Sequence, residues 1–329
     1  MKIGRWQRRD GIVEAGFIHD KYAVPLRGGV GVETLIMAGL PQALASGKAL
    51  IDDTDRSSWR ELDSVRLLAP LVPSSVRDFL TFEQHVEGMV KRGGGPDAQP
   101  AAEWYQAPTF YFTNPHTVIG PTDTLTPPQT AELDFELEVA AVIGAVRESD
   151  GRSMSITRSH DQIFGYTIFN DWSARDLQAR EMRVQLGPCK GKDFASTVGP
   201  WIVTADELEE YHDEDGFLEL SASVTINGEH FGADSTANMS WTFAEMIAYA
   251  SRDSRVAPGD LLASGTIGGG CLAEAWGRAG GIVTRPLQAG DTVTLNVEGI
   301  GELSTVVGHP REQQHPIPVA RNLRFGTVA

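Results

Sequence analysis

The stretch AELDFELEVAAVIG, residues 131–144, sets Asp134, Glu136 and Glu138 at alternate positions of an otherwise apolar run. In a β-strand alternate side chains share a face, so the three acids would project one way while Phe135, Leu137 and Val139 project the other. The acid face continues as Ala140 and Val142, which reads as a strand buried on both sides. Carboxylates about 7 Å apart along such a strand repel one another and are costly to desolvate without a compensating cation. An edge strand with one solvated face would remove the difficulty. A hard ion held by oxygen, such as Mg2+, Mn2+ or Ca2+, would exploit it. This run alone leaves both readings open.

Two further stretches carry related chemistry. In GYTIFNDWSARDLQAREM an apolar strand ends at Asn170-Asp171, where a helix N-cap belongs. Asp171, Arg175, Gln178 and Met182 then fall at i, i+4, i+7 and i+11 on one helix face. That face aligns a carboxylate, a guanidinium and an amide, although a solvated surface helix needs no more explanation. In VPSSVRDFLTFEQHVEGMV, Ser75 precedes Asp78 by three residues, as in a capping box. A helix from there would place Asp78 and His85 on one face, roughly 10 Å apart along the axis.

The elements that must position these groups divide the chain in two. Residues 1–72 are expected to form a small β-containing N-terminal domain: β-type runs GIVEAGFIHDKYAVPL and SVRLLAPLV flank the amphipathic VETLIMAGLPQALASG. VPSSVRDF marks the junction, and residues 73–329 form the larger unit. KRGGGPDAQPAAE, residues 91–103, reads as a Gly- and Pro-rich loop, either a lid or an inert surface segment. Beyond it, strand-like runs separated by Gly/Pro turns dominate: FYFTNPHTVIG, FELEVAAVIGAV, SASVTINGEHFG, DLLASGTIG and DTVTLNVEGIGEL. Helices are expected after NDWSARDLQAR begins and over WTFAEMIAYASR, where Thr242 and Glu245 have capping-box spacing and Trp241 could staple onto Met246. The class is α+β and β-rich. No GxGxxG or P-loop sequence follows a strand, so a doubly wound nucleotide-binding sheet is not expected.

A formal charge of −16 repels a phosphate backbone, and no Lys/Arg stripe interleaved with aromatics offsets it, so nucleic acid is not an expected partner. No apolar run approaches the roughly 18–20 residues of a membrane span, and the charged N-terminus is unlike a secretory signal. Two cysteines, Cys189 and Cys271, are too few for a disulfide scaffold and lack metal-type pairing; both read as small apolar residues in a reduced, cytoplasmic protein.

In order and spacing, LDFELEVAAVIG, FNDWSARDLQ, LGPCKGKDFASTVGPW and ASGTIGGGCLAE resemble the fumarylacetoacetate hydrolase family over about residues 73–307. The resemblance implies a mixed β-sandwich roll, a homodimer, a small oxo-acid substrate and a divalent metal, Mg2+ first, with Mn2+ or Ca2+ as alternatives. It implies metal ligation by Asp78, Glu136, Glu138 and Asp171, with Asp134 in a supporting part. It assigns catalytic roles to His85, Glu274, Lys192, Arg175 and Gln178, and places Ser196 beside the lysine. Substrate contacts fall to Tyr111, Thr266, Met182 and Leu80. Met182 and Leu80 stand where the name-giving enzymes of the family have tyrosines, and Gly94 stands where an arginine is expected. Arg92 is the replacement considered for that arginine. The implied reaction is cleavage of a carbon–carbon bond in a 1,3-diketo acid, with His85, oriented by Glu274, activating water. An oxo-acid isomerase, tautomerase or decarboxylase on the same metal-enolate site is the alternative.

Overall fold

The computed structural model describes residues 1–312 and 317–321; residues 322–329, the end of the expected larger unit, lie outside them. The protein is α+β and dominated by strands. One mixed sheet of twelve strands has the path Arg60–Glu61, Tyr22–Pro25, Val13–His19, Lys2–Gln7, Ser196–Thr204, Ile163–Asp171, Leu137–Ile143, Leu261–Ala263, Val76–Phe79 and Phe110–Thr113, with Arg66–Leu68 and Val118–Ile119 attached at its side. The N-terminal strands extend this sheet, because Lys2 and Ile3 pair with Val203 and Ile202. A second, antiparallel sheet joins Glu229–Ser235, Ser221–Ile226, Thr292–Val297 and Gly301–Val306.

Both faces of the large sheet are covered, which explains the unbroken apolar run after Glu138. Val139, Ala141 and Ile143 enter a core shared with Leu295, Val297 and Leu303 of the second sheet. Ala140 and Val142 enter another, shared with Val32, Leu35 and Ile36 of the helix Val32–Ala38. A strand buried on two sides gains from apolar residues at every position, so periodicity of two disappears. The expected helix at Phe243–Ser251 is present with its capping box, Thr242 and Glu245 each bonded to the other's backbone. Among the described residues no helix is long and apolar enough to cross a membrane.

Three local expectations fail. Asp78 lies on the strand Val76–Phe79, and the following helix begins only at Glu83. Val76 and Phe79 are buried on opposite faces of a sheet, and that long-range pairing overrides the local cap signal at Ser75. Asp171 likewise ends a strand; the helix that follows is Arg175–Met182, and no side chain caps it. Finally, the run LDFELEV is two strands, Leu133–Asp134 and Leu137–Ile143, interrupted at Phe135-Glu136. Asp134 therefore does not continue one strand's alternation. Residues 91–94 belong to the helix Glu83–Gly94 and residues 102–103 open the 3-10 helix Ala102–Gln106, so the Gly-rich segment lacks helix or strand only between them.

Candidate active site and metal centre

Strand register brings the acids together. Asp78 pairs with Ala263 on one side and Tyr111 on the other, and Ala263 pairs with Ala140. Directly paired residues share a sheet face, so Asp78 and Tyr111 lie on the face of Ala140, and so does Glu138 by alternation. Glu138 pairs with Phe169, two residues before Asp171, which extends the same face to Asp171 and its partner Ser196. The apolar core of that face ends here and the carboxylates begin. One oxygen each of Asp78, Glu136 and Asp171 lie within 4.8 Å of one another, all buried. Glu138 stands beside them, its Oε2 accepting from the Gly265 amide at 3.1 Å.

Two cations enter this cluster. Lys192 Nζ donates to Glu136 Oε2, and to Asp171 Oδ2 at 2.6 Å. Arg175 is fully buried, with Nη2 2.7 Å from Glu136 Oε1, Nε 2.8 Å from Asp134 Oδ2 and Nη1 3.1 Å from Gln178 Oε1. Asp134 also accepts from the amides of Leu272 and Ala273 at 2.8 and 3.0 Å. Its carboxylate thus caps the helix Leu272–Ala279 and orients Arg175 at once. Backbone contacts fix the rest: Asn170 Oδ1 accepts from the Glu136 amide at 3.1 Å.

The charges remain unequal. Burial, then the negative charge of Asp171, pushes the Asp78 carboxyl well above the usual range. Burial, then Asp78 and Glu136, does the same to Glu138. Asp171 is raised by burial, with Lys192 opposing. For Glu136 burial also raises, but the nearby guanidinium of Arg175 and ammonium of Lys192 outweigh it and hold the carboxyl well below its ordinary value. Lys192 is desolvated, yet Asp171 and Glu136 keep its pKa above that of a free lysine. Tyr111 is pushed up by burial and by Asp171, stays protonated, and donates to Asp171 Oδ2 at 2.5 Å.

The donor set fits a hard divalent ion. Asp78 Oδ2, Glu138 Oε1 and Asp171 Oδ1 are buried and have no hydrogen-bond partner among the described residues. Buried acceptors are rarely left in that condition. An Mg2+, Mn2+ or Ca2+ ion takes carboxylate oxygens of this kind, and its charge would relieve the repulsion that raises Asp78 and Glu138.

His85 stands at the rim of the cluster. Its Nε2 lies 3.7 Å from Glu136 Oε1 and its Nδ1 3.5 Å from Glu274 Oε2. The pair meets because the helices Glu83–Gly94 and Leu272–Ala279 cross at Gly88 and Gly277. A Cβ added at Gly277 would overlap the Gly88 carbonyl, and one at Gly88 would lie 2.5 Å from Glu274 Cγ. Glu274 is further held by the Gly269 amide at 2.8 Å and by Arg278. Burial raises its pKa, but the histidine, Arg278 and the Gly269 amide together keep the carboxyl below the ordinary value.

The remaining expected residues divide. Thr266 is buried, Leu80 is half-buried directly after the strand that bears Asp78, and Met182 is exposed at the end of its helix. Arg92 is on a helix, paired with Glu132 and lying 5.4 Å over the Trp276 ring, so it is already engaged. Sequence reasoning missed Cys271. Its Sγ lies 3.6 Å from His85 Nδ1 and accepts from the Glu274 amide at 3.4 Å, making it a helix N-cap. The Cys-x-x-Glu spacing before an apolar helix was the available signal.

Residues 74–308 match the family described as fumarylacetoacetate (FAA) hydrolase, C-terminal. Fumarylacetoacetase of Arabidopsis thaliana is 31% identical over 310 residues, 78% of this chain and 73% of that protein. The X-ray structure of 5-carboxymethyl-2-hydroxymuconate delta-isomerase from Mycobacterium smegmatis shares the fold, with TM-score 0.66, 24% identity, and coverage of 95% of this chain and 100% of that one. So does maleylpyruvate hydrolase from Sphingobium sp. SYK-6, solved with manganese(II) and pyruvate, with TM-score 0.67, 20% identity, and coverage of 94% and 100%. The relatives and fold neighbours thus include both hydrolases and an isomerase.

Proposed function

The chain belongs to the fumarylacetoacetate hydrolase family, and from that premise we propose that it is a metal-dependent hydrolase of 1,3-diketo acids, either acylpyruvates or fumarylacetoacetate-like compounds. The observation that carries the reading is the placement of His85 between Glu136 and Glu274, at the edge of a carboxylate cluster with unpartnered buried oxygens. Asp78, Glu136, Glu138 and Asp171 would hold a divalent cation, Mg2+ in the first instance. When bound, that ion supplies Lewis-acid stabilisation of negative charge on the dicarbonyl oxygens.

The protein groups supply the rest. Hydrolysis needs a base for water and an acceptor for the departing enolate's charge. Glu274 faces His85 Nδ1, which favours the tautomer whose Nε2 is free to take a proton on the side of the cluster. The 3.5 Å separation is long for a hydrogen bond, as catalytic contacts often are before substrate tightens them. Lys192 and Arg175 keep their charges in this setting and place them at Glu136, where a developing oxyanion would sit beside fixed donors. Arg175 Nη1 donates to Gln178 Oε1 at 3.1 Å, which leaves the Gln178 amide NH2 as the donor for a substrate carboxylate.

The looseness of the His85 and Glu274 contact keeps a second reading open, an oxo-acid isomerase, tautomerase or decarboxylase. It would use the same carboxylates, Lys192 and Arg175 without water attack. The deciding experiment is a screen of acylpyruvates, fumarylpyruvate, fumarylacetoacetate and oxaloacetate with added Mg2+ or Mn2+, products being identified. Pyruvate plus a carboxylic acid from an acylpyruvate supports the hydrolase. Decarboxylated or rearranged products alone overturn it.

A further inference from the structure

We propose that Cys271, His85 and Glu136, with Glu274 flanking the histidine, form a second metal site that takes thiophilic ions such as Zn2+ or Cd2+ and thereby silences the histidine. Two donors face the same ring nitrogen. Cys271 Sγ lies 3.6 Å from His85 Nδ1, and Glu274 Oε2 lies 3.5 Å from it. The carboxylate is too distant for a good hydrogen bond, whereas the sulfur is at ordinary contact range for a thiol. With a Zn–N bond of about 2.0–2.1 Å and a Zn–S bond of about 2.3 Å, tetrahedral geometry sets sulfur and nitrogen donors of one ion about 3.6 Å apart, and Cys271 Sγ stands at that distance from His85 Nδ1. Glu274 Oε2 is fully buried and has no hydrogen-bond partner among the described residues. His85, Glu136 and Cys271 each present one ligand atom within 4.8 Å of the others.

The two sites differ in kind. Asp78, Glu138 and Asp171 offer only carboxylate oxygen, suited to Mg2+, whereas sulfur and imidazole nitrogen select softer ions. Glu136 borders both. Binding at the softer site displaces the Cys271 thiol proton to solvent, together with any proton on Nδ1, and involves no change of oxidation state. His85 is then a ligand of that ion, and the orientation toward Glu274 that would make Nε2 a base is lost.

The test uses the full chain carrying Cys189→Ser, because Cys189 is exposed and would give a thiolate signal of its own. Cd2+ is titrated in the absence and presence of excess Mg2+, following the ultraviolet cadmium–thiolate absorption. One equivalent should saturate the band, and excess Mg2+ should leave it in place. Adding Cys271→Ser, which can still cap the helix, should abolish the band. That variant's half-inhibiting Cd2+ concentration, referred to its own uninhibited rate, should rise on the order of tenfold or more. His85→Gln keeps the thiol and should weaken Cd2+ binding by a similar factor. Absence of a band at stoichiometric Cd2+, its displacement by Mg2+, or an unchanged titration in His85→Gln would each overturn the site. The absorbance is read without turnover, so the result is independent of which reaction the enzyme performs.

Discussion

Arg77 and Asp78 are adjacent on one strand and almost equally buried, at 6% and 3% exposure, yet their charges are handled in opposite ways. Arg77 points to one side and meets Asp260 Oδ2 at 3.0 Å, Ser75 Oγ at 3.1 Å and the Arg255 carbonyl at 2.9 Å. Asp260 also accepts from the Ala257 amide at 2.9 Å. That pair is nearly complete in itself. Asp78 points to the other side, into further carboxylates, and its Oδ2 has no partner. A buried charge with its counter-charge and hydrogen bonds supplied is part of the scaffold. A buried acid surrounded by acids is arranged for something the chain does not carry.

The sharpest division between the two comes from removing the ion. Chelation should stop turnover completely while far-UV circular dichroism stays unchanged, since the Arg77 pair and both cores need no metal. Full activity in excess EDTA would remove the metal from the chemistry. Next in size is His85→Ala. Loss of a general base should lower turnover of acylpyruvates by about 10²- to 10⁴-fold, with Mg2+ binding, followed by calorimetry, intact. Unchanged turnover would eliminate His85 as the base, and survival of oxaloacetate decarboxylation alone would favour the enolate-only reading.

Asp260→Ala tests the other half of the comparison. Stranding a buried arginine costs about 3–5 kcal/mol, so the denaturant midpoint should fall steeply while kcat per folded molecule is retained. A variant of normal stability but low kcat would show that the two faces of the strand are coupled. Gly277→Ala should have a smaller effect, about 1–3 kcal/mol as for other overpacked contacts. It pushes apart the helices that bring His85 to Glu274, so kcat should fall beyond what the lost stability explains.

How much of this was legible in the sequence depends on the range of the forces involved. The capping box at Thr242 and Glu245 is local and was readable, as was the α+β class from runs such as SASVTINGEHFG, which became paired strands. Asp78 was not. Ser75 and Asp78 carry a helix signal, and only the pairing of Val76–Phe79 with Leu261–Ala263, some 180 residues away, turns the segment into a strand. Asp134 shows the same limit. Its spacing from Glu136 suggested a shared face, but its carboxylate turns to the helix Leu272–Ala279, which the order of residues does not place nearby. Arg175 and Gln178 do meet at helical spacing as expected, whereas Asp171 joins them from the end of a strand.

The smallest expected effect bears most directly on why Asp78 is buried without a partner. In the metal-free protein its carboxyl, like that of Glu138, has a pKa raised above the unfolded value by burial and neighbouring acids. The folded state therefore binds more protons than the unfolded chain between the ordinary carboxylate range and the raised values, and metal-free stability falls as pH rises through that window. Glu136, whose pKa is depressed, contributes in the opposite sense, and its contribution is lost progressively as pH falls below the ordinary carboxylate range. Asp78→Asn should flatten the slope above the ordinary carboxylate range and raise metal-free stability at neutral pH by about 1 kcal/mol, the low end of the cost of an unsatisfied buried polar group. The same substitution should weaken Mg2+ binding and remove part of the proton release that accompanies it. Urea titrations of wild type and variant at several pH values, with EDTA and then with Mg2+, separate these effects. A variant no more stable than wild type without metal, and with the same pH slope, would mean that Asp78 is not under electrostatic stress and that its likeness to Arg77 is closer than the geometry indicates.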